Sequence, residues 1–161
     1  MDKVLRGPCA FVTHLGACID EKTPLLRSND AVNREGLRLL KAIGCATDAK
    51  AVYSYLGWEQ EFFVIKAEHY RARPDLVNCG RCLVGALPKK HQQGDLNYFA
   101  PPPNCVLNLM LAIQDCMLKI GCPCNVMHNE VAPAQHEMSP IFCSASASAD
   151  YNVAFMEIAH A

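Results

Sequence analysis

Glu59 and Glu61 lie two positions apart in a stretch whose composition is typical of a β-strand. Side chains alternate between the two faces of a strand, so we expect both carboxylates on one face. Two carboxylates about 4 Å apart repel by roughly 4 kcal/mol at an effective dielectric constant of about 20. The aromatic and aliphatic residues around them, at 58 and 62–65, favour burial of the pair, which would then need a cation nearby. The alternative interpretation is a solvent-facing acidic pair on an edge strand.

A second group of candidate ligands lies between His128 and Glu137. His128 and Glu130 share a face by the same alternation, whereas Glu137 has the wrong parity to join them on a straight strand. The region around Pro133 can reset the face, and the four carboxylates of the two groups could then converge. His128 and His136 are equally compatible with ordinary polar positions near the end of a strand.

Four converging carboxylates predict a magnesium or manganese site, because oxygen ligands suit these ions better than they suit zinc. Such ions bridge nucleotide phosphates and neutralise charge during phosphoryl transfer. Neither a glycine-rich dinucleotide fingerprint nor a Walker A lysine motif occurs, which excludes two common nucleotide-binding units. No catalytic or substrate-binding side chain is assigned. The predicted metal ligands are Glu59, Glu61, Glu130 and Glu137.

Several segments of the chain resemble glutamine synthetase, and most closely its type III class, from some bacteria and eukaryotic microbes. The most specific segments are WEQEFF at 58–63, HNEVAPAQHE at 128–137 and MSPIF at 138–142. Shorter segments resemble type III sequences in the same order, at residues 23–28, 73–76 and 91–95. The resemblance extends from about residue 8 to residue 161, so it covers nearly the whole chain.

The resemblance implies an ATP-dependent ligase that joins ammonia to glutamate through a γ-glutamyl phosphate, with two or three divalent cations in its active site. By this resemblance, Glu61, Glu130 and Glu137 match ligands of the first cation, beside glutamate and ammonia. Glu59 matches one ligand of the second cation, beside the ATP phosphates. The implied cations make chemical sense, because transferring a phosphoryl group to a carboxylate brings anions together. A homo-oligomeric ring is implied as well.

Elements expected later in the family's sequence do not occur in the chain. They are the histidine-bearing Asn-Gly-Ser-Gly segment, the arginines that hold glutamate and phosphate, and the remaining ligands of the second cation. We therefore expect residues 1–161 to be a fragment of the catalytic domain, truncated at its C-terminal end and inactive alone. Residues 1–23 form a weakly patterned lead-in. The alternative is a non-catalytic relative that keeps the fold as a structural or binding module.

An α+β fold, an antiparallel sheet with packing helices, is predicted to position these residues. Hydrophobic periodicity predicts helices over 23–43, 104–120 and from 150 to the end, and extended segments over 51–66, 125–132 and 136–142. Residues 68–103 and 144–149 are predicted to be loop-rich. Ser28 and Asp150 are candidate helix caps, and Gly57 marks a bend.

Composition narrows the class of protein. The chain has 161 residues, 51% of them hydrophobic, and a formal net charge of −1. This balance gives no electrostatic case for binding nucleic acid or an anionic membrane, and no apolar run approaches the roughly 18 residues that span a bilayer. The first residues lead into no secretory apolar core, so we expect a cytoplasmic protein, without excluding an organelle.

Ten cysteines are about 6% of the chain, fewer than in disulfide scaffolds, and they follow no regular framework. Free thiols are therefore predicted. A zinc-binding module is the alternative, because a CxxC motif and a second close pair occur, with histidines that could supply a nitrogen. The spacing of the second pair, with one proline between the cysteines, disfavours it. Its ligands would be Cys79, Cys82, Cys122 and Cys124, with His91, His128 or His136.

Overall fold

The structure is a computed structural model that describes residues 5, 7–85 and 94–160. Its helices are α1 (Lys22–Ala42), α2 (Ala67–Ala72), α3 (Pro74–Cys79), α4 (Leu96–Phe99), α5 (Asn104–Lys119) and α6 (Ala145–His160). Its strands are β1 (Tyr55–Leu56), β2 (Gln60–Phe63), β3 (Val126–Asn129), β4 (Gln135–Ser139) and β5 (Cys143–Ser144). All strand pairs between these elements are antiparallel. The predicted α+β class is confirmed.

The chain forms two compact units. The first unit combines the described residues up to Trp58 with those from Ile141 onward, and so contains α1, α6 and the short β1–β5 pair. Trp58 packs against Phe155 in this unit, with ring centroids 4.8 Å apart and both residues buried. An ion pair between Lys22 and Asp150 links α1 to α6.

The second unit is Glu59–Pro140, and it contains a three-stranded sheet in the order β2-β4-β3. Its longest helix, α5, buries one residue per turn, which confirms the helix predicted over 104–120. The helix ends before Gly121, which has a φ of 87° that a side chain would strain. Buried hydrophobic residues of this unit are Val106, Met110, Ile113, Met117, Cys122, Cys124 and Met138.

The prediction that residues 68–103 are loop-rich is wrong where α2, α3 and α4 form. Proline and glycine are typical of loops in a sequence, but in the structure Pro74 and Gly80 lie at the two ends of a helix. Pro74 is the first residue of α3, where its missing N–H costs nothing, and Gly80 follows the last residue with a φ of 66°. The same two residue types that break elements also start and end helices.

Helix α6 begins at Ala145, so the loop predicted over 144–149 and the cap predicted at Asp150 are both wrong. The alternating serines and alanines are small, and Ala145 and Ser148 are buried in the first turns of the helix. Ser28 is not a cap either, because it lies inside α1 and its hydroxyl donates to the Leu25 carbonyl. The described residues include no helix long and apolar enough to cross a membrane.

The extended segment predicted over 51–66 is present as two short strands, β1 and β2. The interruption falls at residues 57–59, next to the bend predicted at Gly57. The predicted segments near 125–132 and 136–142 correspond to β3 and β4, which pair with each other. Strand β4 is therefore central in its sheet, with β2 and β3 on either side.

Candidate metal centre

The candidate site is a row of side chains across the three-stranded sheet. Glu137 on β4 pairs in register with Glu61 on β2 and with His128 on β3. Directly paired residues of an antiparallel sheet project from the same face. Glu61, Glu137 and His128 therefore share one face of the sheet.

The hairpin between β3 and β4 explains how Glu137 joins His128 despite its parity in the sequence. The chain reverses between the two strands, with the Glu130 N–H donating to the Gln135 carbonyl at 2.9 Å. Ala134 takes up the left-handed conformation in this turn, with a φ of 62°. The prediction that the region around Pro133 resets the face is confirmed, and chain reversal is the cause.

The side chains of His128 and Glu137, together with that of Glu130 just after β3, lie close enough to bind one ion. His128 Nδ1 lies 3.4 Å from Glu130 Oε1, and His128 Nε2 lies 3.6 Å from Glu137 Oε1. One potential ligand atom from each residue lies within 4.8 Å of the others. Two carboxylates and one imidazole fit a divalent cation, since carboxylates suit magnesium and manganese and imidazole suits borderline transition metals.

The acidic members of this cluster are largely shielded from water. The Glu137 side chain is 9% exposed and that of Glu130 is 14% exposed. Burial, a hydrogen bond shared with Glu130 and the charges of Glu59 and Glu130 together raise the pKa of Glu137 to about 7, although His128 opposes the rise. Without a cation, ionised Glu137 is therefore electrostatically unfavourable near neutral pH, and a bound cation would relieve this cost.

The other two predicted ligands lie at the edge of the cluster. Glu61 is exposed, and its Oε2 accepts a hydrogen bond of 2.6 Å from Gln135 Nε2. Glu59 is also exposed and precedes β2, yet it is near enough for its charge to raise the pKa of Glu137. The expected burial of this pair is wrong, because the nearby Phe63 is itself 62% exposed. The role of Glu59 and Glu61 as ligands stays a prediction.

His128 is not among the ligands predicted for the magnesium or manganese site, although the structure places it between two of them. The signal that could have identified it was its position two residues before Glu130 in an alternating segment. His136 differs, because it is buried on the opposite face of the sheet, where Nδ1 lies 2.8 Å from Asn129 Oδ1. Burial lowers the pKa of His136, which favours a neutral, structural imidazole.

The zinc alternative gains no support from the part of the chain that the structure describes. Within that part, only the His128 cluster groups three or more potential metal ligands. Cys79 and Cys82 are exposed, whereas Cys124 is buried, and burial with the nearby Cys122 raises the pKa of its thiol to about 12. Zinc binds the thiolate, which such burial disfavours. His91 lies outside the described residues.

Comparisons with known proteins agree with the residue patterns. The family model described as glutamine synthetase, catalytic domain, matches residues 37–161. The chain is 42% identical over 155 residues to the type-3 glutamine synthetase of Dictyostelium discoideum, across 96% of this chain and 21% of that protein. It is 36% identical over 157 residues to the glutamine synthetase of Butyrivibrio fibrisolvens, across 98% of this chain and 22% of that protein.

A third relative, the glutamine synthetase of Bacteroides fragilis, is 35% identical over 158 residues. The chain thus spans about a fifth of the length of these relatives. The matched region includes every residue of the candidate metal centre. The resemblance predicted from the sequence motifs is confirmed, and the chain belongs to the glutamine synthetase family.

Proposed function

We propose that residues 1–161 form part of the catalytic domain of a longer protein that ligates ammonia to glutamate. In this proposal ATP drives the reaction through a γ-glutamyl phosphate, and the remaining ATP and glutamate contacts come from the rest of the protein. The observation that carries it is the cluster of Glu130, Glu137 and His128, which lies inside a region matched by the family's catalytic domain. A homo-oligomeric ring and a cytoplasmic or organellar location stay predictions.

The proposed cation is magnesium or manganese, with two or three ions in the complete site. Glu61, Glu130 and Glu137 would hold the first ion, His128 stands within reach of it, and Glu59 would contribute to the second. Such ions supply positive charge that offsets the repulsion between a nucleotide phosphate and an attacked carboxylate. The chain's own residues place carboxylates on one sheet face and shield two of them from water, which strengthens their attraction for a cation.

Manganese binding to the full chain tests the first step of this proposal. We expect Glu130→Gln to weaken binding at least tenfold, because it removes a charged oxygen ligand while keeping the side-chain shape. Glu68→Gln is the matched control, since Glu68 is 69% exposed on α2 and belongs to the same unit. Isothermal titration with Mn²⁺ after EDTA treatment measures the affinity. Equal affinities of the two variants and the unaltered chain would refute the assignment.

The ligase step requires the longer protein of the proposal. Phosphate release that depends on ammonia, glutamate and ATP together would support it, and Glu130→Gln should abolish this release. Manganese binding without any such release would instead indicate a non-catalytic relative that retains the metal centre.

A further inference from the structure

Helix α4 is tied to the β3–β4 turn by the side chain of Asn97. Asn97 Nδ2 donates one hydrogen bond of 2.5 Å to the Glu130 carbonyl and one of 2.8 Å to the Ala132 carbonyl. We call this pair of hydrogen bonds the Asn97 bridge. In return, Asn129 Nδ2 donates to the carbonyl of Ala100, just beyond the end of α4, at 2.9 Å. Two asparagines thus connect the same two segments in opposite directions.

The Asn97 bridge uses both hydrogens of one amide group. A primary amide has two N–H donors on a single nitrogen, and each is directed to a different backbone carbonyl. Aspartate has the same shape but no donor, and leucine has a similar size but no polar group. Only a side chain that ends in an amide can form this bridge at this length.

The bridge acts on the backbone of a candidate metal ligand. The Glu130 carbonyl accepts a hydrogen bond from Asn97, and the Glu130 N–H donates one to the Gln135 carbonyl at 2.9 Å. Both backbone polar groups of Glu130 are therefore hydrogen-bonded. The direction of the Glu130 side chain follows from this backbone. The ring of Tyr98, next to Asn97 on α4, also lies against His128, with centroids 5.6 Å apart.

We propose that Asn97 is a positioning residue for the metal centre. By fixing the Glu130 backbone, it keeps the Glu130 carboxylate where it can share one cation with Glu137 and His128. Asn97 itself does not contact the cation. The inference rests on the proposed function of the cluster, and residues that orient metal ligands typically change metal affinity by about 10–100-fold when they are altered.

The substitution Asn97→Asp separates positioning from electrostatics. It introduces a carboxylate near the cluster, and charge alone would strengthen the binding of a cation. Loss of the bridge instead predicts weaker binding, so we expect the affinity for Mn²⁺ to fall about tenfold. Asn97→Leu loses the bridge without adding charge, and its affinity for Mn²⁺ should fall by a similar factor. Asn108→Asp is the control, because Asn108 is exposed on α5.

Hydrogen–deuterium exchange of the metal-free chain gives a second, independent measurement. Loss of the bridge should speed amide exchange in peptides covering residues 126–139 and leave those covering α5 unchanged. Asn97→Gln keeps both donors on a longer side chain, and it should retain more Mn²⁺ affinity than Asn97→Leu.

Three results would overturn the inference. The first is that Asn97→Asp binds Mn²⁺ as tightly as the unaltered chain, and the second is that loss of the bridge leaves hydrogen–deuterium exchange over 126–139 unchanged. The third is that Asn97→Asp and Asn97→Leu both lose all helical circular dichroism. The last would assign Asn97 to general support of the fold. If Asn97→Asp binds normally while Glu130→Gln does not, the positioning role fails and the metal centre stands. If the unaltered chain binds no Mn²⁺, both proposals fail.

Discussion

Replacing Glu137 with glutamine should stabilise the metal-free chain at alkaline pH, because it removes an ionised group from a shielded site. The pKa of this carboxyl rises from 4.5 to about 7 in the folded chain. A shift of this size corresponds to about 3 kcal/mol between the two protonation states. Because Glu137 shares a hydrogen bond with Glu130, this energy belongs to the two carboxyl groups together, and it is an upper bound for Glu137 alone.

The sign of the pH dependence follows from the direction of the shift. Protonated Glu137 is favoured in the folded chain, so its contribution to stability is fully present below pH 4.5 and is lost as the pH rises through about 7. Glu137→Gln should therefore match the unaltered chain at pH 4.5 and exceed it by up to about 3 kcal/mol at pH 8. The groups that shift the pKa of Glu137 are Glu59, Glu130 and His128, and Glu61 also lies on the same sheet face.

Urea unfolding in EDTA, followed by circular dichroism from pH 4.5 to pH 8.5, measures this difference in the free energy of unfolding. The control Glu68→Gln, at an exposed position, should stay within about 0.5 kcal/mol of the unaltered chain at every pH. Excess Mn²⁺ at about 100 times its dissociation constant should add roughly 2.7 kcal/mol to the unaltered chain, and about 1.4 kcal/mol or less to Glu137→Gln if that variant binds at least tenfold more weakly. A pH-independent difference between Glu137→Gln and the unaltered chain would refute the reasoning.

Two further predictions concern the turn and the thiols. Ala134→Gly should stabilise the chain by about 1 kcal/mol, because exposed Ala134 has a positive φ that glycine adopts without strain. Ala112→Gly, inside α5, should instead destabilise the chain by a similar amount. The urea midpoints of the two variants measure both effects. The Cys124 thiol should resist iodoacetamide at pH 8 while exposed Cys82 reacts, because burial raises the pKa of Cys124 to about 12. Peptide mapping reports this, and alkylation of both at equal rates would contradict it.

The parts of the fold that the sequence predicted well are those with a regular hydrophobic period. Helix α5 repeats buried residues at helical spacing, and β3 and β4 are short extended segments around a proline. Helices α2, α3 and α4 lack such a repeat, since none has a buried residue. Helices α2 and α3 have six residues each and α4 has four, which is too short to display a hydrophobic period, so only their boundary residues indicate them.

The composition of the candidate site was more predictable than its geometry. Glu130 and Glu137 were identified from residue type and motif, and the structure places them together. His128 belongs to the cluster because it is the residue of β3 that pairs with Glu137. In a hairpin the turn fixes which residues pair, so the types of the paired residues do not reveal it. Asn97 was not identified at all, because it lies 33 residues before Glu130 in the sequence, and only the fold brings the two together.

The energetics of the cluster explain why polar contacts from outside the hairpin matter. Without a cation, Glu130 and Glu137 share a hydrogen bond while Glu137 is protonated. Above about pH 7 both are ionised and repel, and this repulsion favours opening of the turn. Apolar packing at the tip cannot oppose this, because residues 133 and 134 are exposed. The Asn97 bridge and the bond from Glu130 to Gln135 act on the backbone, where they do not neutralise the carboxylates. The site therefore stays assembled and negatively charged before a cation arrives, which lowers the cost of ordering it on binding.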